Sequence, residues 1–217
     1  MIIVGAGGFA KEVLEVFHEG PIEKIAFYDD VNPDIGEHLY GRFPVLRTQG
    51  DVKEFFEIHG NDFTIGVGKP QLRYKLCEKF VSMGGNLISG ISSRAIIGAY
   101  DVKIGAGCNI LANAIFSNSS EIGRGCIVYY NTVITHDCKI GDFVELSPGA
   151  TLLGNCKIGA FSQIGSNATI LPRVTIGSNV IIGAGAVVSK DIPDNCVAVG
   201  IPARIIKEVE PLDFNYK

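Results

Sequence analysis

Residues 131–150 read NTVITHDCKIGDFVELSPGA, and two rules run through them together. A large aliphatic residue recurs at every sixth position (Ile134, Ile140, Leu146), and a small or β-branched residue stands two places before each (Thr132, Cys138, Val144). Working outward, steps of six from Ile104 reach Ile110, Phe116, Ile122 and Val128 before this stretch, and Leu152, Ile158, Ile164, Ile170, Ile176, Ile182 and Val188 after it. No polar residue interrupts the series. Steps of eighteen tighten the rule, because Ile104, Ile122, Ile140, Ile158 and Ile176 are each followed by glycine. Three hexapeptides therefore make one turn of a three-sided object. One such coil cannot bury its apolar side alone, whereas stacked coils share a continuous dry core. The fifteen hexapeptides amount to about five coils.

The repeat also accounts for the cysteines. Of six in the chain, Cys108, Cys126, Cys138 and Cys156 occupy the small inward position, which makes them compact hydrophobes rather than nucleophiles or ligands. No two lie in a CxxC spacing, so no metal site is expected. The 217 residues are 47% apolar, enough for a substantial core. A net charge of −4 without a basic cluster argues against nucleic acid as a partner. The opening MIIVGAGGFAKE lacks the basic and long apolar regions of a signal peptide, and no segment approaches the ~20 apolar residues of a membrane span. A cytoplasmic protein away from membranes is the expectation.

Before about residue 94 the pattern differs. Ile2-Ile3-Val4 reads as a strand, Gly5-Ala6-Gly7-Gly8 as a turn, and the next stretch as a helix with Val13, Leu14 and Phe17 on one face, stopped by Gly20-Pro21. Ile25–Tyr28 reads as a strand, followed by a polar loop. A helix over 51–59, a strand at FTIGVG (63–68), a helix over 71–83 with Leu72, Leu76, Phe80 and Met83 on one side, and a strand at NLISGI (86–91) complete it. The alternation predicts a small parallel α/β sheet. The expected division is an α/β domain over 1–92, a repeat domain over 93–206 and a tail over 207–217.

Two places in this frame carry chemistry. His136 is the only histidine after His59 and lies two residues past an inward aliphatic, so it points outward. By itself that is equally a solvated surface histidine. One coil further on, at about 4.8 Å by strand spacing, stands Gly154, which leaves room for a ligand against the imidazole and offers a backbone N–H. A base beside an amide donor is what acyl transfer requires. The second place is GAGGFAKE, a glycine turn between strand and helix suited to phosphate, with Asp29 and Asp30 ending the next strand where ribose hydroxyls would lie. Alone it would suggest a nicotinamide enzyme, but the α/β unit is too small for two mononucleotide halves. It is also compatible with a plain tight turn and an acidic loop.

The register resembles the hexapeptide-repeat acyltransferases, which implies a left-handed parallel β-helix preceded here by a small Rossmann-like domain. The tail GIPARIIK, 200–207, is similar to the segment that closes the prism in that family, often as a short helix. The stretch THDCKIGDF, together with the N-terminal glycine turn, resembles the bacterial acetyltransferases of nucleotide-linked amino sugars and the related sialic-acid O-acetyltransferases. The resemblance implies acetyl-CoA as co-substrate, a homotrimer with acetyl-CoA between neighbouring prisms, and a role in surface-glycan synthesis. It implies His136 as proton acceptor and Asp137 as the acid raising its basicity. Gly154 would hold the acetyl oxygen, with Ser166 and Ala184 beside the pantetheine arm. Gly7, Gly8 and Phe9 would line the diphosphate, Asp29 and Asp30 would face base or ribose, and the GVGK loop from Gly66 to Lys69 would close the nucleotide pocket. Many members carry a second histidine nine residues after the first; here Glu145 stands there, orienting cofactor or amine, or serving as an ordinary surface charge. N-acetylation of a nucleotide-linked amino sugar is the principal expectation. O-acetylation of a sialic-acid-type sugar, and a non-catalytic nucleotide-binding trimer, are the alternatives.

Overall fold

A computed structural model describes residues 1–18 and 24–213. The N-terminal part contains β1 (Ile2–Val4), α1 (Gly8–His18), β2 (Ala26–Tyr28), β3 (His38–Leu39), β4 (Phe43–Leu46), α2 (Gln49–His59), β5 (Asp62–Ile65), α3 (Pro70–Ser82) and β6 (Asn86–Leu87). The sheet order is β3-β4-β2-β1-β5-β6, parallel throughout except for the β3–β4 hairpin. Strand β1 is apolar at all three positions because both its faces are covered, as a central parallel strand requires. The Gly20-Pro21 stop expected for α1 lies outside the described residues.

Three local features differ from the sequence expectation. The polar loop after β2 contains β3 and β4, whose Phe43-Pro44-Val45-Leu46 is short and interrupted by a proline of the kind found near sheet edges. The buried stripe of α3 is Pro70, Arg73, Cys77 and Phe80, while Leu72 is exposed and lines a cavity. NLISGI is divided: β6 ends the α/β sheet, and Gly90–Ile91 already pairs with Asn109–Ile110 of the repeat.

The repeat winds a left-handed parallel β-helix of two-residue strands on three faces. One face, here the docked face, runs from Gly90–Ile91 through Asn109–Ile110, Ile127–Val128, Glu145–Leu146 and Gln163–Ile164 to Ile181–Ile182. The second runs from Ile96–Ile97 to Val187–Val188, and the third from Lys103–Ile104 to Thr175–Ile176. The aliphatic and small positions fill one buried cluster, including all four repeat cysteines. The corners show a rule beyond the hydrophobic one. Every sixth residue from Asp101 to Gly185 has positive φ, between 52° and 73°, and Asn, Asp or Gly holds most of these places. The C-terminus closes as an antiparallel hairpin, Cys196–Gly200 with Ala203–Glu208, and not as a short helix. It pairs onto Ile181–Ile182 and so extends the docked face.

Candidate functional site

The docked face earns its label from side-chain contacts with the α/β part. Asn109 is buried there, its amide donating to the Ile65 carbonyl at 3.0 Å and its oxygen accepting from the Thr64 hydroxyl at 3.1 Å. Arg73 is 1% exposed and reaches the prism with two of its three nitrogens. Nε donates to Gly125 O at 2.8 Å, Nη2 to Phe143 O at 2.6 Å and Val144 O at 3.2 Å, and Nη1 to Gly68 O. Burial pushes its pKa down to about 10, so it remains a cation at physiological pH. The rings of Phe143 and Phe161 stack 5.5 Å apart against Tyr74 of α3. Phe9 packs on Tyr129 at 5.3 Å. Apart from Phe9, expected to line the diphosphate, none of these residues was apparent from the sequence. A charged residue in the i, i+4, i+7 stripe Arg73, Cys77, Phe80 was the available signal for Arg73.

At the C-terminal edge of the α/β sheet lies a cavity of about 390 Å³ lined by the glycine turn, Asp29, Asp30, Gly66, Leu72 and Leu76. Gly7 and Gly8 are exposed, and a side chain at either would meet nothing within 4 Å, so the start of α1 stands open to an anion. Gly66 lines the same cavity, but its glycine is demanded by packing: a Cβ there would lie 2.7 Å from Ala10 Cβ. Asp29 is spent within its own loop. Its carboxylate accepts from Ala6 N, Val31 N, Asn32 N and the Asn32 amide at 2.8–3.2 Å. Burial raises its pKa, but these donors outweigh that and hold the carboxyl below its ordinary range. It shapes the pocket and has no donor-free oxygen for ribose. Asp30 accepts from Tyr28 OH at 2.7 Å and Lys79 at 3.2 Å through Oδ2 alone, leaving Oδ1 toward solvent.

His136 lies on the corner between the second and third faces, with 61% of its side chain exposed. Asp137 follows with φ +61°, and that left-handed turn swings its carboxylate back to His136 Nδ1 at 2.7 Å. With Nδ1 so engaged, Nε2 is the free basic position. Gly154 is directly stacked: a Cβ there would come within 2.6 Å of the ring's Cε1 and 2.7 Å of Nε2. The room that this glycine opens is thus filled by the imidazole itself, and Gly154 is buried beneath it rather than left clear for a ligand. Its N–H enters none of the backbone hydrogen bonds of the described residues, though Leu153 and Asn155 on either side both donate. Cys138 is fully buried under the same corner and has no face toward a substrate.

The other sequence candidates lie elsewhere on the prism. Ser166 and Ala184 stack one coil apart at the corner between the docked and second faces, and the Ser166 carbonyl accepts the Gly185 N–H at 2.8 Å. Glu145 is on the docked face, where a side chain at Gly68 would approach its Oε2 to 3.9 Å. Within one chain, then, Glu145 adjoins the nucleotide-type cavity, whereas His136, Asp137 and Gly154 stand on the edge opposite the docked face. Among the described residues no cluster of three or more His, Cys, Asp or Glu could hold a metal, and no helix is long and apolar enough to cross a membrane.

Comparison with known proteins places the fold in a family. Residues 1–80 match the PglD N-terminal domain family, and 101–136, 137–171 and 155–190 match the bacterial transferase hexapeptide family. No curated protein sequence matches the chain. Among solved structures, a point mutant of perosamine N-acetyltransferase from Caulobacter crescentus, in complex with CoA and GDP-perosamine, is 30% identical over 95% of this chain and 96% of its own, with a TM-score of 0.86. The acetyltransferase domain of PglB from Neisseria gonorrhoeae is 33% identical over 94% and 98%, TM-score 0.86, and has also been solved with acetyl coenzyme A. WeeI from Acinetobacter baumannii is 30% identical over 95% and 100%, TM-score 0.83. With both domains matched in order and nearly the full length shared, the chain belongs to the hexapeptide-repeat acyltransferases, in the subfamily of bacterial nucleotide-amino-sugar N-acetyltransferases.

Proposed function

We propose that this protein is an acetyl-CoA-dependent N-acetyltransferase that modifies the amino group of a nucleotide-linked amino sugar, in the cytoplasm, during surface-glycan synthesis. The observation that carries the reading is the His136–Asp137 pair at 2.7 Å over the unengaged amide of Gly154. Acetyl-CoA supplies the acetyl group as a thioester. Asp137 orients the imidazole and favours the Nδ1–H form, His136 Nε2 accepts the proton that the attacking amine sheds, and the Gly154 N–H donates to the acetyl oxygen as negative charge develops there. That last role requires the ring to shift off the glycine or the carbonyl to enter from the corner's outer side. The C–S bond then breaks, and CoA leaves as the thiol on taking the amine's proton from His136. The open start of α1 takes the diphosphate, and Asp30 with Leu72 and Leu76 takes the nucleoside.

The working form in this reading is a homotrimer, and the three prism faces support it. The docked face carries the α/β domain. The third face presents Lys103, Glu121, Lys139 and Lys157 outward in an exposed charged ladder, Glu121 meeting Lys103 at 3.3 Å and Lys139 at 3.9 Å. The second face presents Ile96, Ile115, Val133, Thr151, Thr169 and Val187, all β-branched and none charged, with Ile96 60% exposed. Such a stripe suits contact with a second copy. Three chains joined through it bring the His136 corner of one beside the docked face, Glu145 and nucleotide cavity of the next. Ser166 and Ala184 then line the groove between prisms, where acetyl-CoA would lie.

A thiol-release assay with acetyl-CoA and UDP-, dTDP- and GDP-linked 4-amino and 3-amino sugars, plus free sialic acid, tests the reaction. Turnover of an amino sugar is the expected result, with His136→Ala slower by ~10²–10⁴-fold. Activity with sialic acid alone, or none with any acceptor, would overturn it.

A further inference from the structure

The loop that closes the nucleotide cavity ends against one prism side chain, Glu145, which faces Gly68. From the Asp30 end, the cavity passes the glycine turn to Phe9, and Phe9 rests on Tyr129. A group attached beyond the diphosphate therefore emerges over Tyr129 and Glu145. Glu145 is half-buried and held in place by neutral donors, Gln163 Nε2 at 3.2 Å to Oε2 and Ser147 Oγ at 3.4 Å to Oε1. None of the ion pairs of the described residues includes it. The nearby Arg73 directs its nitrogens at the carbonyls of Gly68, Gly125, Phe143 and Val144. The one glutamate of the charged face, Glu121, by contrast, is paired with Lys103 and Lys139. Arg73 attracts Glu145 through space but gives it no hydrogen bond, and a fixed carboxylate with no hydrogen-bonded cation beside a substrate cavity suits a cation on the substrate. Alkyl amines are largely protonated near neutral pH.

We propose that Glu145 receives the ammonium group of the incoming sugar and thereby selects an amino sugar over its hydroxyl counterpart, and substrate over N-acetylated product. The proposal rests on the N-acetyltransferase reading and adds to it a residue that reads charge at binding. The ammonium releases one proton to solvent before the neutral amine attacks, and His136 takes the second. The same carboxylate gives the product a reason to leave, since acetylation removes the cation it holds. Tyr129 stands beside it as a neutral phenol, its pKa pushed up by burial and then by the charges of Glu145 and Glu12.

Calorimetry on the full-length protein tests this with four ligands: the amino sugar turned over fastest in the panel, its N-acetylated product, the nucleoside diphosphate alone, and acetyl-CoA. Wild type is expected to bind the amino sugar at least ~10-fold more tightly than the product. Glu145→Gln, nearly isosteric, should weaken the amino sugar by ~10–100-fold and abolish that preference, with the diphosphate and acetyl-CoA unchanged. Glu145→Asp, which keeps the charge, should keep the preference. Unchanged amino-sugar affinity in Glu145→Gln, or a loss confined to acetyl-CoA, would overturn the role of Glu145 while wild-type turnover of the amino sugar keeps the enzymatic reading intact. If no amino sugar of the panel is acetylated or outbinds the bare diphosphate, both fall together.

Discussion

At position 154 the chain carries glycine because a histidine eighteen residues earlier needs the space. Any side chain there would begin 2.6–2.7 Å from the imidazole, closer than non-bonded atoms tolerate. Gly154→Ala therefore moves the His136 ring off its seat, while the fold, built from the inward residues, is untouched. The expected result is a fall in kcat of at least ~10-fold with the melting temperature within a few degrees of wild type. A wild-type rate would remove His136 from the chemistry or show its seat to be irrelevant. This residue pair was legible in the sequence, since the repeat makes stacking arithmetic reliable. Its contact was not, because spacing alone does not say whether the gap holds a ring or a ligand. Asp29 shows the same limit. Its place beside the cavity could be read from the strand end, but the four donors that occupy it come from a loop conformation that no periodicity encodes.

Along each strand and corner the decisive contribution is backbone conformation. A hexapeptide turns 120° in one corner by placing a single residue in the left-handed region, which costs an ordinary side chain ~1–2 kcal/mol. Asn and Asp tolerate it best after glycine, and this explains Asn113, Asn131, Asn155, Asn167 and Asn179 at these positions. Asn113, exposed at φ +62°, isolates the effect. Asn113→Gly should leave stability nearly unchanged, and Asn113→Val should cost ~1–2 kcal/mol in chemical denaturation. Equal effects would mean that the corner's side chain, not its backbone, matters. Two of the four exceptions identify a different task. Phe143 and Phe161 accept the same strain because their stacked rings carry α3, while nothing in the structure explains Ser119 and Arg173. Where the sequence reading of elements departed from the structure, a tertiary demand had displaced local pattern. Leu72 and Leu76 look like core residues on a helical wheel but wall a cavity, and Arg73, polar on any scale, is buried because four carbonyls meet it. GIPARIIK became a strand because Cys196–Gly200, itself added onto Ile181–Ile182, offers an open edge of backbone for it to join.

Across the whole molecule, two joints decide whether the chemistry can occur. The first is internal. Arg73 ties the cavity loop at Gly68 to the prism at Gly125, Phe143 and Val144, and replacing it takes away the donor that the Gly68, Gly125 and Phe143 carbonyls use, while Val144 O keeps the Ile127 N–H. Arg73→Met should lower stability by about 3 kcal/mol or more and speed amide exchange in residues 66–69 before the prism itself opens. Unaltered exchange there would show that the aromatic contacts alone hold the domains. The second joint belongs to the proposed trimer and lies between copies. His136 occupies the prism edge opposite the face that carries the nucleotide-type cavity, so in the proposed trimer one chain would hold two halves of two different sites. Two variants expose this directly. His136→Ala removes the base, and Gly8→Trp fills the cavity mouth at a position where a side chain meets no neighbouring atom. Each should be nearly inactive alone. Co-expressed in equal amounts, they assemble at random, and roughly a quarter of the interfaces join an intact corner to an intact cavity. Activity should return to about that fraction of wild type, and a charge on the uncharged face, as in Val133→Lys, should abolish both the trimer and the recovery. If the mixture stays as inactive as its parts while light scattering reports mixed trimers, corner and cavity must serve the same chain, and the division of labour among the three faces is wrong.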